Sequence, residues 1–280
     1  MKKLLVLLLA TSAAAMSNAQ LYGVGASTAG YTFYQINTTT GAATGLFNFV
    51  VPNSINVAHL TYVPTTNKFL TIAQYSAFSS QLVELDLGAS TATLVSTGVP
   101  NNSMSTPYFE GIEYMASLGG VAISYGPGGF YTGTIGLLNP VGYGLLNTTS
   151  PLLADGDTLF MDGTGALNSL DTNNPTGGFM RNKLGGLFGS PTATGYGANM
   201  FSAGDSDLAW KSDEGRLFLT QGFNLAEVNA ASTVITPIGF YGTAGLAVPI
   251  TGIAAKVVPE PATFVALGIG AAAMLLRRKR

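Results

Sequence analysis

Glutamate and aspartate are the residues of this sequence whose type and spacing best suit a catalytic role. Glu110 and Glu113 flank Gly111 and Ile112, and a pair of carboxylates lining one pocket is the usual equipment of glycoside hydrolysis. Residues three apart on a strand point to opposite faces, so these two line one pocket only if a β-bulge separates them. We expect no catalytic residue here, and an extracellular carboxylate-dependent hydrolase or lyase is an alternative.

A second set of acids offers oxygen ligands of the kind that bind calcium. Asp155, Asp157 and Asp162 are close in sequence, and Asp205 and Asp207 form an Asp-Ser-Asp segment. Neither set has the EF-hand spacing that ends in a glutamate at position twelve. Because aspartate also starts turns, we expect turns and no cofactor, with calcium at Asp155, Asp157 and Asp162 as the weaker alternative.

His59 is the only histidine, and the chain has no cysteine. Disulfides, thiolate zinc sites and thiol nucleophiles are therefore excluded, and one imidazole cannot form a multi-histidine metal site. No Gly-x-Ser-x-Gly segment supplies a serine nucleophile. We expect His59 to be a structural residue just before a strand, and we expect the protein not to be an enzyme.

The charges are few and unevenly distributed. Only 9% of the 280 residues are charged, and six of the 12 basic residues lie in the first three and last four positions. Between Gln20 and Val258 there are six basic and 13 acidic residues, a net charge of −7. Nucleic acids are bound by clustered lysine and arginine, so we expect no nucleic-acid partner.

Residues 1–19 have the pattern of a secretory signal peptide. Lys2 and Lys3 precede an apolar run at 4–10, and small residues end the segment at Ala19. This order predicts cleavage by signal peptidase between Ala19 and Gln20. The apolar run is well short of the ~20 residues that a membrane-spanning helix needs.

The C-terminus combines an extended motif, an apolar segment and a basic tail. Val258, Pro259, Glu260 and Pro261 precede an uncharged stretch from Ala262 to Leu276, and Arg277, Arg278, Lys279 and Arg280 follow at once. Such a stretch predicts a short transmembrane helix that anchors the chain transiently in the inner membrane. The positive-inside rule keeps the basic tail in the cytoplasm.

This C-terminal segment, 258–280, resembles the PEP-CTERM sorting signal in its order, spacing and position. The resemblance implies recognition by an exosortase-type transpeptidase in a Gram-negative bacterium that makes exopolysaccharide, as in biofilms. It also implies cleavage near the Pro-Glu-Pro tripeptide and delivery of the mature protein to the envelope, cell surface or medium. A plain tail anchor is the alternative.

The interior, 20–257, predicts an all-β domain built from repeats. Short alternating runs bounded by Gly, Asn, Pro and Thr recur, and no long segment keeps a helical period. Strand-turn-strand units begin at Leu60, Ile112, Leu153, Leu208 and Ile253. In the unit at Leu153 we expect a turn at 155–157 and a return strand at 159–161.

Four strands in ~40–50 residues is the spacing of a propeller blade. The units predict a β-propeller-like fold of about five blades, with the ring closed by strands from both termini, and the interior weakly resembles the repeats of bacterial exported propellers. A two-sheet β-sandwich is the alternative. Aromatic residues that fall partly in loop-like stretches suit sugar or protein contacts, and packing in the core or between blades is the alternative for each of them; among them are Phe109, Tyr143 and Tyr241.

These features together predict an exported cell-surface or matrix protein that is sorted through the PEP-CTERM route. We expect a non-enzymatic scaffold that binds exopolysaccharide or an envelope partner. A purely structural or adhesive module is a further alternative.

Overall fold

The computed structural model consists of antiparallel β-sheets, and no helix occurs among the residues that it describes. It describes residues 19–76, 79–97, 99, 108–126, 134–148, 158–171, 179–184, 191–196, 206–229, 234–242 and 248–256. Within these ranges, the strands form five four-stranded sheets. The all-β prediction is confirmed, and the sheets have a propeller-like arrangement.

Sheet I combines both ends of the described chain and contains β1 (Gln20–Ser27), β2 (Gly30–Ile36), β3 (Ala43–Phe49) and β20 (Gly252–Lys256). Sheet II contains β4 (Asn56–Val63), β5 (Lys68–Ser76), β6 (Ser79–Asp86) and β7 (Thr91–Val95). Sheet III contains β8 (Tyr108–Met115), β9 (Gly120–Gly126), β10 (Thr134–Leu138) and β11 (Leu145–Thr148).

Sheet IV contains β12 (Thr158–Met161), β13 (Leu167–Asp171), β14 (Phe179–Leu184) and β15 (Pro191–Tyr196). Sheet V contains β16 (Ser206–Lys211), β17 (Arg216–Gln221), β18 (Asn224–Val228) and β19 (Ile235–Phe240). The order in sheet I is β20-β1-β2-β3, and the other four sheets follow chain order.

One edge strand of each sheet lies toward the middle of the domain, and we call β20, β4, β8, β12 and β16 the inner strands. Each inner strand contacts the next one, and β16 contacts β20 in turn. β4 is buried over nearly its whole length, whereas β7 at the opposite edge of the same sheet is largely exposed. The inner edge of sheet II is therefore covered by neighbouring strands, whereas its outer edge faces solvent.

Apolar side chains fill the space between successive sheets. Separate buried clusters join sheet I to II, II to III, III to IV, IV to V, and V back to I. The first of these contains a group of packed rings in which Phe33 and Phe69 meet edge to face at 4.9 Å. Sheet-on-sheet packing of this kind supplies most of the favourable free energy of folding.

Glycines allow the inner strands to approach one another closely. A Cβ placed on Gly252 would lie 2.6 Å from the backbone carbon of His59, and one on Gly111 would lie 2.6 Å from the backbone nitrogen of Leu159. Any side chain at these two positions would push neighbouring inner strands apart.

The two ends of the domain meet in sheet I. β1 pairs with β20 in an antiparallel register that places Gln20 opposite Lys256. The predicted cleavage site after Ala19 therefore lies directly before β1, and the sorting segment follows directly after β20.

The units predicted at Leu60, Ile112, Leu208 and Ile253 each begin within an inner strand. The prediction for the unit at Leu153 was wrong by one strand, because residues 159–161 belong to the inner strand β12 and are not a return strand. Two Asp-Gly turn signals compete in this region, and the β12–β13 turn uses the second one. There the N–H of Asp162 donates to the carbonyl of Ala166 at 3.0 Å.

Several predictions lie outside the described residues. They concern the signal peptide at 1–18, the sorting motif at 258–261, the apolar segment at 262–276 and the basic tail at 277–280. Within the described part, no helix is long and apolar enough to cross a membrane.

Candidate functional site

A cluster of polar side chains lies between the inner strands, and we call it the axial cluster: His59, Thr61, Glu113, Thr158 and Asp207. Asp207 is the second residue of β16 and is 1% exposed. Its Oδ2 accepts hydrogen bonds from the N–H of Leu60 at 3.0 Å and the N–H of Ile253 at 2.9 Å. One carboxylate thus joins three inner strands, β16, β4 and β20.

His59 faces the same carboxylate. Its Nδ1 lies 3.4 Å from Asp207 Oδ1 and 3.2 Å from Thr158 Oγ1. A β-bulge between Ala58 and Leu60 makes His59 the extra residue of β4, with a φ of 56°. A non-glycine residue in this left-handed region is strained. The contacts of the His59 ring with Asp207 and Thr158 offset the free-energy cost of that strain. His59 therefore lies inside a strand, not before one as predicted.

Thr158 adds a link from the opposite side. Its hydroxyl donates to the carbonyl of Ser206 at 2.9 Å and also meets the His59 ring, so β12 is joined to both β16 and β4. Thr71 Oγ1 donates to the carbonyl of His59 at 2.6 Å, which fixes the bulge from the neighbouring strand.

Glu113 makes the corresponding links on the other side of the cluster. Its Oε2 accepts a hydrogen bond from Thr61 Oγ1 at 3.2 Å, and it accepts another from the backbone N–H of Met161. Thr61 in turn accepts the N–H of Tyr114 at 2.9 Å. Glu113 thereby joins β8 to β4 and β12, and together with Asp207 and Thr158 it connects all five inner strands.

Burial sets the electrostatics of the cluster. Removal from water raises the pKa of Glu113 well above its usual value, and the nearby charge of Asp207 raises it further. Burial also raises the pKa of Asp207, and hydrogen bonding and charge at His59 act against that rise. A raised carboxyl pKa beside a second acid is the arrangement of a general acid.

The predicted acids are distributed differently from what their spacing suggested. Asp207 lies in a strand and not in a turn, while Asp155, Asp157 and Asp205 lie outside the described residues. A β-bulge at Glu110 does interrupt β8, between Phe109 and Gly111.

Asp162 serves its own turn. Its Oδ1 accepts hydrogen bonds from the N–H and hydroxyl of Thr164 and from the N–H of Ala166. Although burial acts to raise its pKa, these bonds lower it to about 2. In the described part of the chain, no group of three His, Asp or Glu residues is placed to hold a metal ion.

Three of the aromatic residues considered for ligand contacts are buried, as the packing alternative predicts. Phe109, Tyr143 and Tyr241 are 2%, 3% and 1% exposed, so none of them offers a ring face to a ligand. Tyr143 donates its hydroxyl to Glu84 at 2.6 Å, which is a packing role between sheets II and III.

The pairing of Asp207 with His59 was not predicted. The two residues are 148 positions apart, and no local pattern connects them. Asp207 did carry one signal, because it directly precedes the apolar run Leu208-Ala209-Trp210, and a charge within a buried strand needs a partner.

We predict that Asp207→Ala destabilises the domain by about 3 kcal/mol, because two buried N–H groups lose their acceptor. Asp207→Asn retains one oxygen acceptor and should lose less than half as much. Denaturant unfolding of both variants measures the difference. Asp86→Ala, at a side chain 32% exposed, is the control and should cost less than about 1 kcal/mol. Equal losses for Asp207→Ala and Asp86→Ala would contradict the assignment.

We also predict a pH-dependent effect of Glu113→Gln. Folding raises the pKa of Glu113. Its favourable contribution to the free energy of unfolding is therefore fully present below the unfolded pKa of about 4.3 and is lost as pH rises through the folded pKa. The uncharged variant escapes this loss, so it should have a higher Tm than the wild type at pH 8 and a similar one at pH 4. Glu227→Gln, at an exposed side chain, is the control. A Tm difference that is independent of pH would refute the prediction.

Comparison with known structures shows weak overall likeness. The chain is 9% identical to a structure of a nidogen–laminin complex, with a TM-score of 0.47 over 85% of this chain and 98% of that chain. The chain is 11% identical to the structure of the Dos1 propeller, with a TM-score of 0.41 over 80% of this chain and 58% of that chain. It is 12% identical to the periplasmic gluconolactonase PpgL of Pseudomonas aeruginosa, with a TM-score of 0.38 over 81% of this chain and 69% of that chain. The chain thus spans just over half the length of the Dos1 propeller chain.

No curated protein matches this chain. The PEP-CTERM protein-sorting motif matches residues 257–280, which confirms the resemblance of the C-terminal segment. This motif implies an exported, envelope-associated protein that is processed by an exosortase. The chain is therefore one that carries a PEP-CTERM sorting signal behind a propeller-like β domain.

Proposed function

We propose that this protein is a non-enzymatic scaffold of the cell surface or extracellular matrix, released from a transient inner-membrane anchor by an exosortase-type transpeptidase. The observation that carries the proposal is the position of the sorting motif. It begins at residue 257, directly after β20, the strand that completes sheet I.

The five sheets act in this proposal as the blades of one closed ring. The circuit of contacts between inner strands and the apolar clusters between successive sheets support it. Sheet I joins the two ends of the domain, so the ring has no open gap between its first and last strands.

Both targeting segments leave the domain at one place. Gln20 lies opposite Lys256, so a signal peptide cleaved by signal peptidase after Ala19 and a tail anchored at 262–276 emerge side by side. Only Val257 and Val258 separate Lys256 from Pro259, and three steps of chain reach at most about 10 Å. The transpeptidase must therefore act close to the folded domain.

The outer strands supply the surface for a partner. β3, β7, β11, β15 and β19 contain no charged residue, and exposed apolar side chains lie on four of them: Leu46, Leu94, Leu146 and Phe240. Uncharged edge strands are open to pairing and to apolar contact. We propose that exopolysaccharide or an envelope protein binds here, and a purely structural or adhesive module would lack such a ligand.

A carboxylate-dependent hydrolase or lyase is the second candidate function. The observation that favours it is the raised pKa of Glu113 beside Asp207. Against it, Asp207 is occupied by two backbone N–H groups and by His59, so neither of its oxygens is left to meet a substrate. Structural use of both acids supports the scaffold.

We predict that Glu260→Gln prevents processing, because the transpeptidase reads the acidic side chain between two prolines. The variant should stay in the membrane fraction with its tail intact. Intact mass and fractionation in a host that expresses the exosortase measure this result. Glu227→Gln is the control and should be processed normally. A mature mass equal to that of the wild type would show that the motif is not recognised through Glu260.

We further predict that the mature protein binds the host's own exopolysaccharide without shortening it. Co-sedimentation measures binding, and chain-length analysis of the polysaccharide measures cleavage, each with and without calcium. Leu46→Lys together with Leu94→Lys should weaken binding, whereas Glu113→Gln should not. Cleavage that disappears in Glu113→Gln would establish the hydrolase, and no binding under either condition would favour the purely structural module.

A further inference from the structure

A cavity of about 500 Å³ lies where the chain enters sheet I. Its walls come from residues 19–21 at the start of β1, from residues 35–39 at the end of β2, and from Lys211, Asp213 and Glu214 in sheet V. The cavity therefore lies between the first and last sheets of the chain and contains the predicted signal-peptide cleavage site.

Charged side chains on the sheet V side form a connected network. Lys211, 3% exposed, donates from Nζ to Asp213 at 2.9 and 2.8 Å and lies 2.7 Å from Glu214 Oε1. Arg216 donates to Glu214 Oε2 at 2.9 Å and to Glu227 at 2.7 Å. We call these five residues the entry network. It contains two cations and three carboxylates, and so has one negative charge in excess.

The entry network already holds the beginning of the domain. The backbone N–H of Ala19 donates to Asp213 Oδ2 at 2.8 Å, and Thr38 Oγ1 donates to Glu214 Oε1 at 2.9 Å. Ala19 is 4% exposed, so its amide reaches the carboxylate in a region sheltered from water. Sheltered charges are screened less by salt than exposed ones.

Cleavage changes the charge at this position. Hydrolysis of the Ala19–Gln20 peptide bond consumes one water molecule, leaves a carboxylate on the released Ala19, and gives Gln20 an amine that takes up a proton. The new ammonium is the nitrogen of Gln20, one residue along the chain from the Ala19 nitrogen, and the Cα atoms of neighbouring residues lie only about 3.8 Å apart. Asp213 simultaneously loses the amide donor that it had in the precursor.

We propose that the entry network is the binding site for the α-ammonium group of the mature chain, so that removal of the signal peptide fastens sheet I to sheet V. The proposal rests on the predicted cleavage after Ala19. The added positive charge balances the network, with three cations against three carboxylates. The precursor offers only a neutral amide at the same place, so its first and last sheets are held less firmly.

The interaction between the α-ammonium group and the entry network depends on pH with a definite sign. An α-amino group has an ordinary pKa of about 7.7–8.0, and pairing with Asp213 raises it in the folded protein. The resulting stability is fully present below the ordinary pKa and is lost as pH rises through the raised value. The groups that face the ammonium from sheet V are Asp213, Glu214 and Lys211, with Arg216 and Glu227 behind them. Lys256 lies opposite Gln20 in β20, and its Nζ lies over the ring of Tyr62, 5.4 Å from the centroid.

The test compares two forms of the chain from Gln20 to Arg280 in mild detergent. One has a free α-amine and the other an Nα-acetyl group, which keeps the nitrogen of Gln20 a neutral amide, as it is in the precursor. The free amine should raise Tm by about 2–4 °C at pH 6.5, and the difference should vanish at pH 10. In Asp213→Asn it should vanish at both pH values.

A second measurement does not depend on a variant that folds. The α-amine of Gln20 is titrated by the pH dependence of its acylation rate in the folded wild-type chain and in the denatured chain. We expect a higher pKa in the folded chain. An equal or lower pKa there, or a Tm difference that persists in Asp213→Asn, would overturn the proposal.

Discussion

The carboxylate of Asp207 is the interaction on which the rest of the domain depends. Five inner strands converge on a narrow axis, and their backbone N–H groups face one another there without a further strand to pair with. Asp207 accepts two of these groups, from Leu60 and Ile253, and Glu113 accepts one from Met161. Burying each acid is unfavourable, and the N–H donors offset that cost because they would otherwise be buried without partners.

Closure of the domain is a long-range event. β1 and β20 are separated by more than 200 residues, so the entropy of bringing them together is lost before their hydrogen bonds form. The hydrogen bond from the N–H of Ile253 in β20 to Asp207 in sheet V contributes favourable free energy to this step. Since the sorting motif begins one residue after β20, the closed domain and its sorting signal are joined without a linker. The strand that joins the two ends of the domain and the segment that directs sorting therefore lie next to each other.

The sequence predicts strands well and long-range contacts poorly. Alternating apolar residues and Asn or Asp turns located most strands, because both signals act between near neighbours. The prediction for the unit at Leu153 was wrong because two Asp-Gly segments lie seven residues apart, at 155 and 162, and either can form the turn. The position of His59 was missed because a β-bulge, which depends on the carboxylate of Asp207 from a distant strand, has no local pattern. What the sequence could indicate was a charged residue inside a buried strand.

Exported domains often hold their ends together with disulfides or calcium. This chain has no cysteine, and its described residues contain no acidic group fit for a metal, so in that part neither device is available. Carboxylates bound by backbone N–H groups take their place in sheets I, II and V. Hydrogen bonds of this kind do not respond to oxidants or to chelators. They do respond to pH, since their strength depends on the protonation of buried acids. In the described part of the chain, the joining of the two ends therefore depends on the acidity of the surroundings.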